Sequence, residues 1–225
     1  MRKGQIFVIF ALFFAIFGQS SAKAQGKTTI LVGANAHLGD IKSPGGNNFL
    51  AAFETTGKLA PAVELRFRQN KVLGFGVEYV HNTKLERPRE VINIQGENGQ
   101  TIAGYTLSGD AKVNFLLGNI NLSTSRGKAR PFLSLGAGLA QTEVTNRVSD
   151  GFVVTGLYED SPRMKMFQKQ IATAPVAGAT TEKSVGLAVK AMVGMNFFPH
   201  KNFLISFGGG YLNGPAANLK VGVTF

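Results

Sequence analysis

The feature that most constrains this chain is an alternation of apolar with small or polar residues at every second position, recurring from Thr29 to Phe225. Successive side chains of a strand point to opposite faces, so a period of two marks a sheet with one apolar side. No 3.6-residue stripe competes with it beyond the N-terminus. Leu219, Val221, Val223 and Phe225 share one face, against Lys220, Gly222 and Thr224 on the other. The same pattern sets Val185, Leu187, Val189, Ala191, Val193, Met195 and Phe197 against Gly186, Ala188, Lys190, Gly194 and Asn196. It recurs around Ile30–Ala36, Val63–Phe67, Leu73–Tyr79, Leu133–Leu139 and Phe203–Tyr211. Ala111 to Ser123 breaks parity, because Val113 and Phe115 disagree with Leu116, Ile120 and Leu122, and a bulge near Leu116–Leu117 is expected to reconcile them.

These segments predict eight antiparallel strands whose connections alternate in length. Asn70, Ser125 to Ala129 and Pro199 to Asn202 mark short links, whereas Leu38 to Ala60, Asn82 to Asp110 and Arg147 to Lys183 are long. Asn213 to Ala216 is short but falls on the long-loop side. In a compact soluble domain such long structureless loops argue against the assignment. In an outer-membrane barrel, short periplasmic turns and long external loops are the rule. Val91–Ile94 and Thr101–Ala103 flank a glycine-bounded turn and predict a hairpin above the membrane. Opposed residues of a hairpin face the same side, so odd-numbered apolar sets pair only across a loop with an odd number of residues. Centres at His200 and Pro215 satisfy this and exclude a two-residue turn at both places.

The apolar face is expected to point at lipid. The opposite face is mostly Gly, Ser, Ala, Thr and Asn, which suit the crowded interior of an eight-stranded barrel. A water-facing surface would carry more charge, yet charged residues make up only 16% of the chain. A sheet that spans hydrocarbon must also close on itself. Glycine, at 28 residues, is abundant, and the absence of cysteine excludes disulfides, thiolate metal sites and a cysteine nucleophile.

Arg2 and Lys3 precede an apolar run from Ile6 to Phe17, and Ala22-Lys23-Ala24 follows. A basic start, a run too short to span a membrane and a small-x-small site predict a signal peptide over 1–24. The barrel domain is then 25–225. Cleavage removes Arg2, Lys3 and Lys23, leaving 21 basic against 13 acidic residues. An exported basic chain does not meet nucleic acid. Outer-membrane lipid and lipopolysaccharide are the expected partners.

With its signal sequence, the strand Arg130-Pro131-Phe132-Leu133-Ser134-Leu135-Gly136-Ala137-Gly138 and the terminal Val221-Gly222-Val223-Thr224-Phe225, the chain resembles small Gram-negative outer-membrane barrels. These are the superfamily of outer membrane proteins A, X and W. The resemblance implies that Val221, Val223 and Phe225 form the signal read by the barrel insertion machinery, with periplasmic chaperones as escorts. It is specific for architecture and weak for activity.

Glu64, Arg66, Glu78, Lys190 and Lys220 fall on the lumen parity. Charges in a narrow interior are costly unless paired, so the lysines are expected to reach Glu64 or Glu78, with Arg66 joining. The hairpin centres place Lys190 and Lys220 on either side of Gly210, which would leave room for both. The expected function is a non-enzymatic structural, envelope or surface-interaction role with the lumen plugged by this network. The alternative is a narrow channel for small or hydrophobic solutes, resembling outer membrane protein W. Replacing Lys190 or Glu78 should enlarge rare, small openings. A lipid A-modifying enzyme ranks third. The chain has only His37, His81 and His200, and the contexts His37-Leu38-Gly39 and His81-Asn82-Thr83 lack the His-x-Ser pattern of barrel deacylases. No catalytic residue, metal site or cofactor is expected. Arg163, Lys165 and Lys169, interleaved with Met164, Met166 and Phe167, are the candidate lipopolysaccharide contact.

Overall fold

The computed structural model describes residues 27–41, 53–55, 59–69, 72–95, 101–124, 127–153 and 178–225. The predicted signal peptide and the Arg163, Lys165 and Lys169 cluster lie outside the described residues. The strands are β1 (Thr28–His37), β2 (Glu54–Thr55), β3 (Ala60–Arg68), β4 (Leu73–Gln95), β5 (Thr101–Ser123), β6 (Ala129–Val153), β7 (Gly178–His200), β8 (Phe203–Leu212) and β9 (Pro215–Thr224). Eight of them form an antiparallel ring. It closes because β1 pairs on both sides, Val32 lying opposite Val63 of β3 and Val221 of β9. The two-residue β2 pairs with Glu86 and Leu85 of β4, beyond the point where β3 begins. Closure gives each of the eight ring strands a neighbour on both sides, which hydrocarbon requires, since an unpaired backbone group there costs several kcal/mol.

The parity read from sequence sorts inside from outside. Tyr79, Val63, Val32, Val221, Ile205 and Phe197 lie side by side on successive strands and face outward. Leu187, Val193 and Leu219 of the same face are 73%, 61% and 58% exposed. The inward positions are buried, including Glu64, Glu78, Lys190 and Lys220. A closed barrel with an apolar exterior and polar groups inside is an integral outer-membrane architecture. Phe197 and Phe207 stack on the exterior at 5.8 Å between centroids.

Three local expectations are corrected. β5 carries no bulge near Leu116–Leu117, since its register with β6 runs unbroken from Thr106 to Ser123. Val113, Phe115 and Leu117 instead point inward as apolar lumen residues, and Leu116, Ile120 and Leu122 face out. The β4–β5 register does shift, between Arg87 and Glu90, between Ile94 and Gln95 and, at a bulge on β4, between Val80 and Thr83. Asn82 adopts a left-handed φ of 56° there and donates its backbone N–H to Asn114 Oδ1 at 2.8 Å. Asparagine is among the few non-glycine residues that tolerate this conformation.

The β7–β8 hairpin pairs Met195 with Phe207, so Lys190 faces Leu212 rather than Gly210. It closes through a two-residue turn, Lys201–Asn202, after His200 pairs with Phe203. The parity conflict that seemed to exclude such a turn is absorbed by a register shift between Phe197 and His200. The β8–β9 hairpin centres on Asn213 rather than Pro215, because Tyr211 pairs with Pro215 and Lys220 with Ser206. Asn213 has a φ of 49°, and its side chain continues the ladder where β8 has ended. Its Oδ1 accepts from the Val189 N–H at 2.7 Å, and its Nδ2 donates to the Leu187 carbonyl at 3.2 Å.

The long connections are partly strands. β4 and β5 continue as a hairpin, with Ile94 opposite Ala103. β6 and β7 extend beyond the predicted strand ends, with Val148 opposite Gly178.

Leu219 lies at mid-height on the exterior. Leu219→Arg is expected to destabilise the folded protein by about 2–4 kcal/mol, the cost of a cation at the bilayer midplane. Urea titration in liposomes, with heat-dependent gel mobility as the readout of the folded barrel, measures it.

Candidate functional site

The lumen is filled in three layers. In the outer half it is apolar: Val80, Val113, Phe115, Leu117 and Leu212 are completely buried. Ile41 and Phe53, from the first long connection, join this cluster from above. The middle layer is charged and the layer nearest the short turns is cationic.

The middle layer follows from register. Glu64 on β3 and Glu78 on β4 are direct cross-strand neighbours on the inward face. Two carboxylates so placed repel, and opposed like charges destabilise a sheet. Lys220 of β9 offsets this by donating to both, Nζ lying 2.9 Å from Glu64 Oε2 and 2.6 Å from Glu78 Oε1. Lys190 of β7 reaches across the lumen to Glu78 Oε2 at 2.5 Å. Arg66, two residues along β3, donates to Glu64 Oε1 through Nε at 3.1 Å and Nη2 at 3.0 Å. All five predicted lumen charges are thus brought together.

Three asparagines complete the layer, and sequence reasoning missed them. Asn119 Nδ2 donates to Glu78 Oε2 at 3.0 Å, Asn35 Nδ2 to Glu78 Oε1 at 3.4 Å and Asn121 Nδ2 to Glu64 Oε1 at 3.3 Å. Their lumen parity was the available signal, but amides were read only as small polar filler. These bonds satisfy carboxylate lone pairs that ion pairing alone would leave, which is what makes a buried charge cluster tolerable.

The space assigned to Gly210 is supplied instead by Gly136 on β6, which lies between Asn119 of β5 and Lys190 of β7. A Cβ at Gly136 would stand 2.2 Å from Asn119 Oδ1, so no larger residue fits without displacing the amide. Nearer the short turns, Phe132 lies over a glycine pair: Cβ atoms at Gly194 and Gly208 would meet its ring at 2.8 and 3.0 Å.

The histidines lie apart from the charges. His37 Nε2 is 2.9 Å from the Leu212 carbonyl and donates to it, and the ring stacks on Phe115 at 5.8 Å. His81 is exposed, with Nδ1 3.1 Å from the Tyr79 hydroxyl. His200 ends β7 beside the short turn. Among the described residues no three His, Cys, Asp or Glu side chains cluster to hold a metal. At the other terminus, Val221, Val223 and Phe225 are 43%, 43% and 72% exposed on the outward face, and the Phe225 N–H donates to the Thr28 carbonyl at 2.8 Å.

No protein-family model and no curated protein sequence matches the chain. Solved structures do. Ail, the attachment invasion locus protein of Yersinia pestis, crystallised with the heparin analogue sucrose octasulfate, is 14% identical, with 89% of this chain and 99% of that one covered and a TM-score of 0.44. OprG from Pseudomonas aeruginosa is 11% identical, with 89% and 96% covered and a TM-score of 0.41. Outer membrane protein W of E. coli is 12% identical, with 90% and 100% covered and a TM-score of 0.37. The chain is similar to small outer-membrane barrels. Its own architecture rests on the strand pairing and the inside-out polarity above.

Glu78 accepts from both lysines, so its loss leaves two buried cations short of a partner. Glu78→Gln is expected to cost about 3–5 kcal/mol, the usual penalty for breaking a buried pair from one side. Removing Glu78 and Lys190 together, as Glu78→Leu with Lys190→Leu, should cost less than Glu78→Gln alone. Urea titrations of the three proteins in one detergent decide this.

Proposed function

We propose that this protein is a non-enzymatic outer-membrane barrel with a structural or surface-interaction role. Its lumen is closed by the charged network, and the barrel holds the long connections at the cell surface. The observation that carries this reading is that two successive lumen layers, one apolar and one charged, are both filled by buried side chains. Loops built on such a rigid scaffold are where binding residues usually sit. Arg163, Lys165 and Lys169 remain our candidate contact with lipopolysaccharide phosphates. The outward row Val221, Val223 and Phe225 is our candidate insertion signal.

A histidine-based lipid A hydrolase needs a serine or carboxylate partner for its histidine. His37 makes its polar contact with a backbone carbonyl, and His81 with a tyrosine hydroxyl. This favours a binding or structural role over lipid A chemistry. The lipid A mass spectrum of cells producing the protein should match that of cells without it. Any new acyl pattern would reject our proposal. One that persists after replacement of both His37 and His81 would reject the histidine-based form of the enzyme reading as well.

The rival is a narrow path for small or hydrophobic solutes. Layers in series conduct no better than the tighter of them, so loosening the charges alone leaves the apolar layer shut. Planar-bilayer recording of the wild type should give only rare, small openings. Glu78→Gln combined with Phe115→Ala should enlarge them by more than either change alone. Steady, large wild-type currents would favour the channel. An unchanged conductance in the double variant would sink the idea that these layers form the seal.

A further inference from the structure

Below the charged network the lumen opens into a cavity of about 100 Å³ at its short-turn end. Five cations line it: Lys27, Arg66, Arg68, Arg130 and Lys201. No Asp or Glu is among its lining residues. Glu64, the carboxylate that Arg66 reaches, is already engaged by Arg66, Lys220 and Asn121. The network above does not supply the missing charge either, because Lys190, Lys220 and Arg66 set three cations against the two carboxylates of Glu64 and Glu78. The turn residues Asn70, Lys71, Ser125 and Arg126 add no acid in sequence.

Like charges gathered around one small space repel, and the arrangement is favourable only if a counter-charge enters. Two of the cations are also held in place. The Arg130 guanidinium lies 4.3 Å above the Phe198 ring, and its Nε donates to the Gly127 carbonyl at 2.9 Å. Arg66 is fixed by its two bonds to Glu64. Thr29 and Asn196 add polar side chains to the wall. About 10–15 Å³ of this kind of space holds one water, so the cavity has room for several water-sized groups. That suits a compact tetrahedral oxyanion. Arginine is the residue that binds phosphate in a planar, two-pronged manner.

We propose that this periplasmic mouth is a binding site for a phosphate-type oxyanion, either free in the periplasm or carried on the headgroup of an inner-leaflet phospholipid. The site neutralises the cationic end of the lumen and does not depend on whether the lumen conducts.

The test uses the full mature protein in nanodiscs and inorganic phosphate as the probe. Phosphorus NMR titration should give saturable binding in zwitterionic discs. It should be weakened about tenfold or more in Arg68→Gln/Arg130→Gln, which removes two charged hydrogen-bond donors. Lys128→Gln removes a cation from the same end without touching the cavity and should bind as the wild type does. Phosphate should also raise the unfolding midpoint above that in chloride of equal ionic strength, as ligand linkage requires. Phosphate strengthens burial nonspecifically as well, so the difference between wild type and variant is the meaningful quantity. If Arg68→Gln/Arg130→Gln does not refold, as judged by heat-dependent gel mobility, Lys27→Gln/Lys201→Gln replaces it.

In discs containing an anionic phosphoglycerol lipid, unchanged phosphate affinity identifies the free ion as the ligand, and weakened affinity identifies a competing headgroup. Both outcomes uphold the site. Equal phosphate effects in wild type and cavity variants, an equal loss in Lys128→Gln, or no saturable binding would overturn it.

Discussion

A polypeptide that crosses hydrocarbon has no water to hydrogen-bond its amides, and this requirement orders the rest of the structure. The eight-strand ring meets it by pairing β1 with β9, so that no edge remains. Closure in turn fixes which side of each strand is crowded. An eight-stranded ring has an interior just wide enough for its own side chains, so the inward positions must fill it while the outward ones need only be apolar. The glycines at 136, 194 and 208 follow from this crowding, since each stands where a Cβ would strike a neighbouring lumen side chain.

Most of the architecture was legible because the two faces obey different rules. The outward face must be apolar at every step, so its parity survives in sequence from Ile30 to Phe225. The inward face need only fill space, and its chemistry is free to change along the barrel axis. That freedom explains the misreading of β5. Val113, Phe115 and Leu117 are inward and apolar, which erased the contrast with Leu116 and imitated a bulge. The bulge at Asn82 on β4 left no hydrophobic signature, because it lies where the strand passes from Val80 into the polar run His81-Asn82-Thr83-Lys84.

Hairpin register was legible in parity and illegible in position. Parity required odd spacing, and both hairpins obey it within the barrel, with Met195 opposite Phe207 and Phe207 opposite Leu219. The exact centres depended on turn chemistry. The shift after Phe197 lets a two-residue turn coexist with odd spacing, and Asn213 moves the other turn two residues from where Pro215 suggested. Even so, Glu64, Glu78, Lys190 and Lys220 meet, because a lysine stem is long enough to absorb a displacement of one lumen position. The charge cluster was therefore easier to foresee than the strand partners that deliver it. The asparagines were harder, since an amide at lumen parity does not announce which carboxylate it will serve.

The stacking of the three layers has a physical logic of its own. Ion pairs strengthen as water is withdrawn, and a broken pair then becomes more costly as well. Leu117 lies directly opposite Glu78 on the neighbouring strand, and Leu31 directly opposite Glu64. Both apolar residues border the carboxylates, and Leu117, with Phe115 and Val113 beyond it on β5, screens them from the outer mouth. With Phe115 stacked on His37 above, the network is dry on one side. On the other side Arg66 turns from Glu64 toward the cavity, where the cations exceed the carboxylates. An excess of one charge is tolerable only where solvent or a counter-ion can reach it, because an unpaired charge in a dry interior costs far more than a solvated one. The balanced part of the network can therefore sit deep and the unbalanced part must sit at a mouth. Since the outer half is closed by Val113, Phe115 and Leu117, the periplasmic mouth is the end left for it.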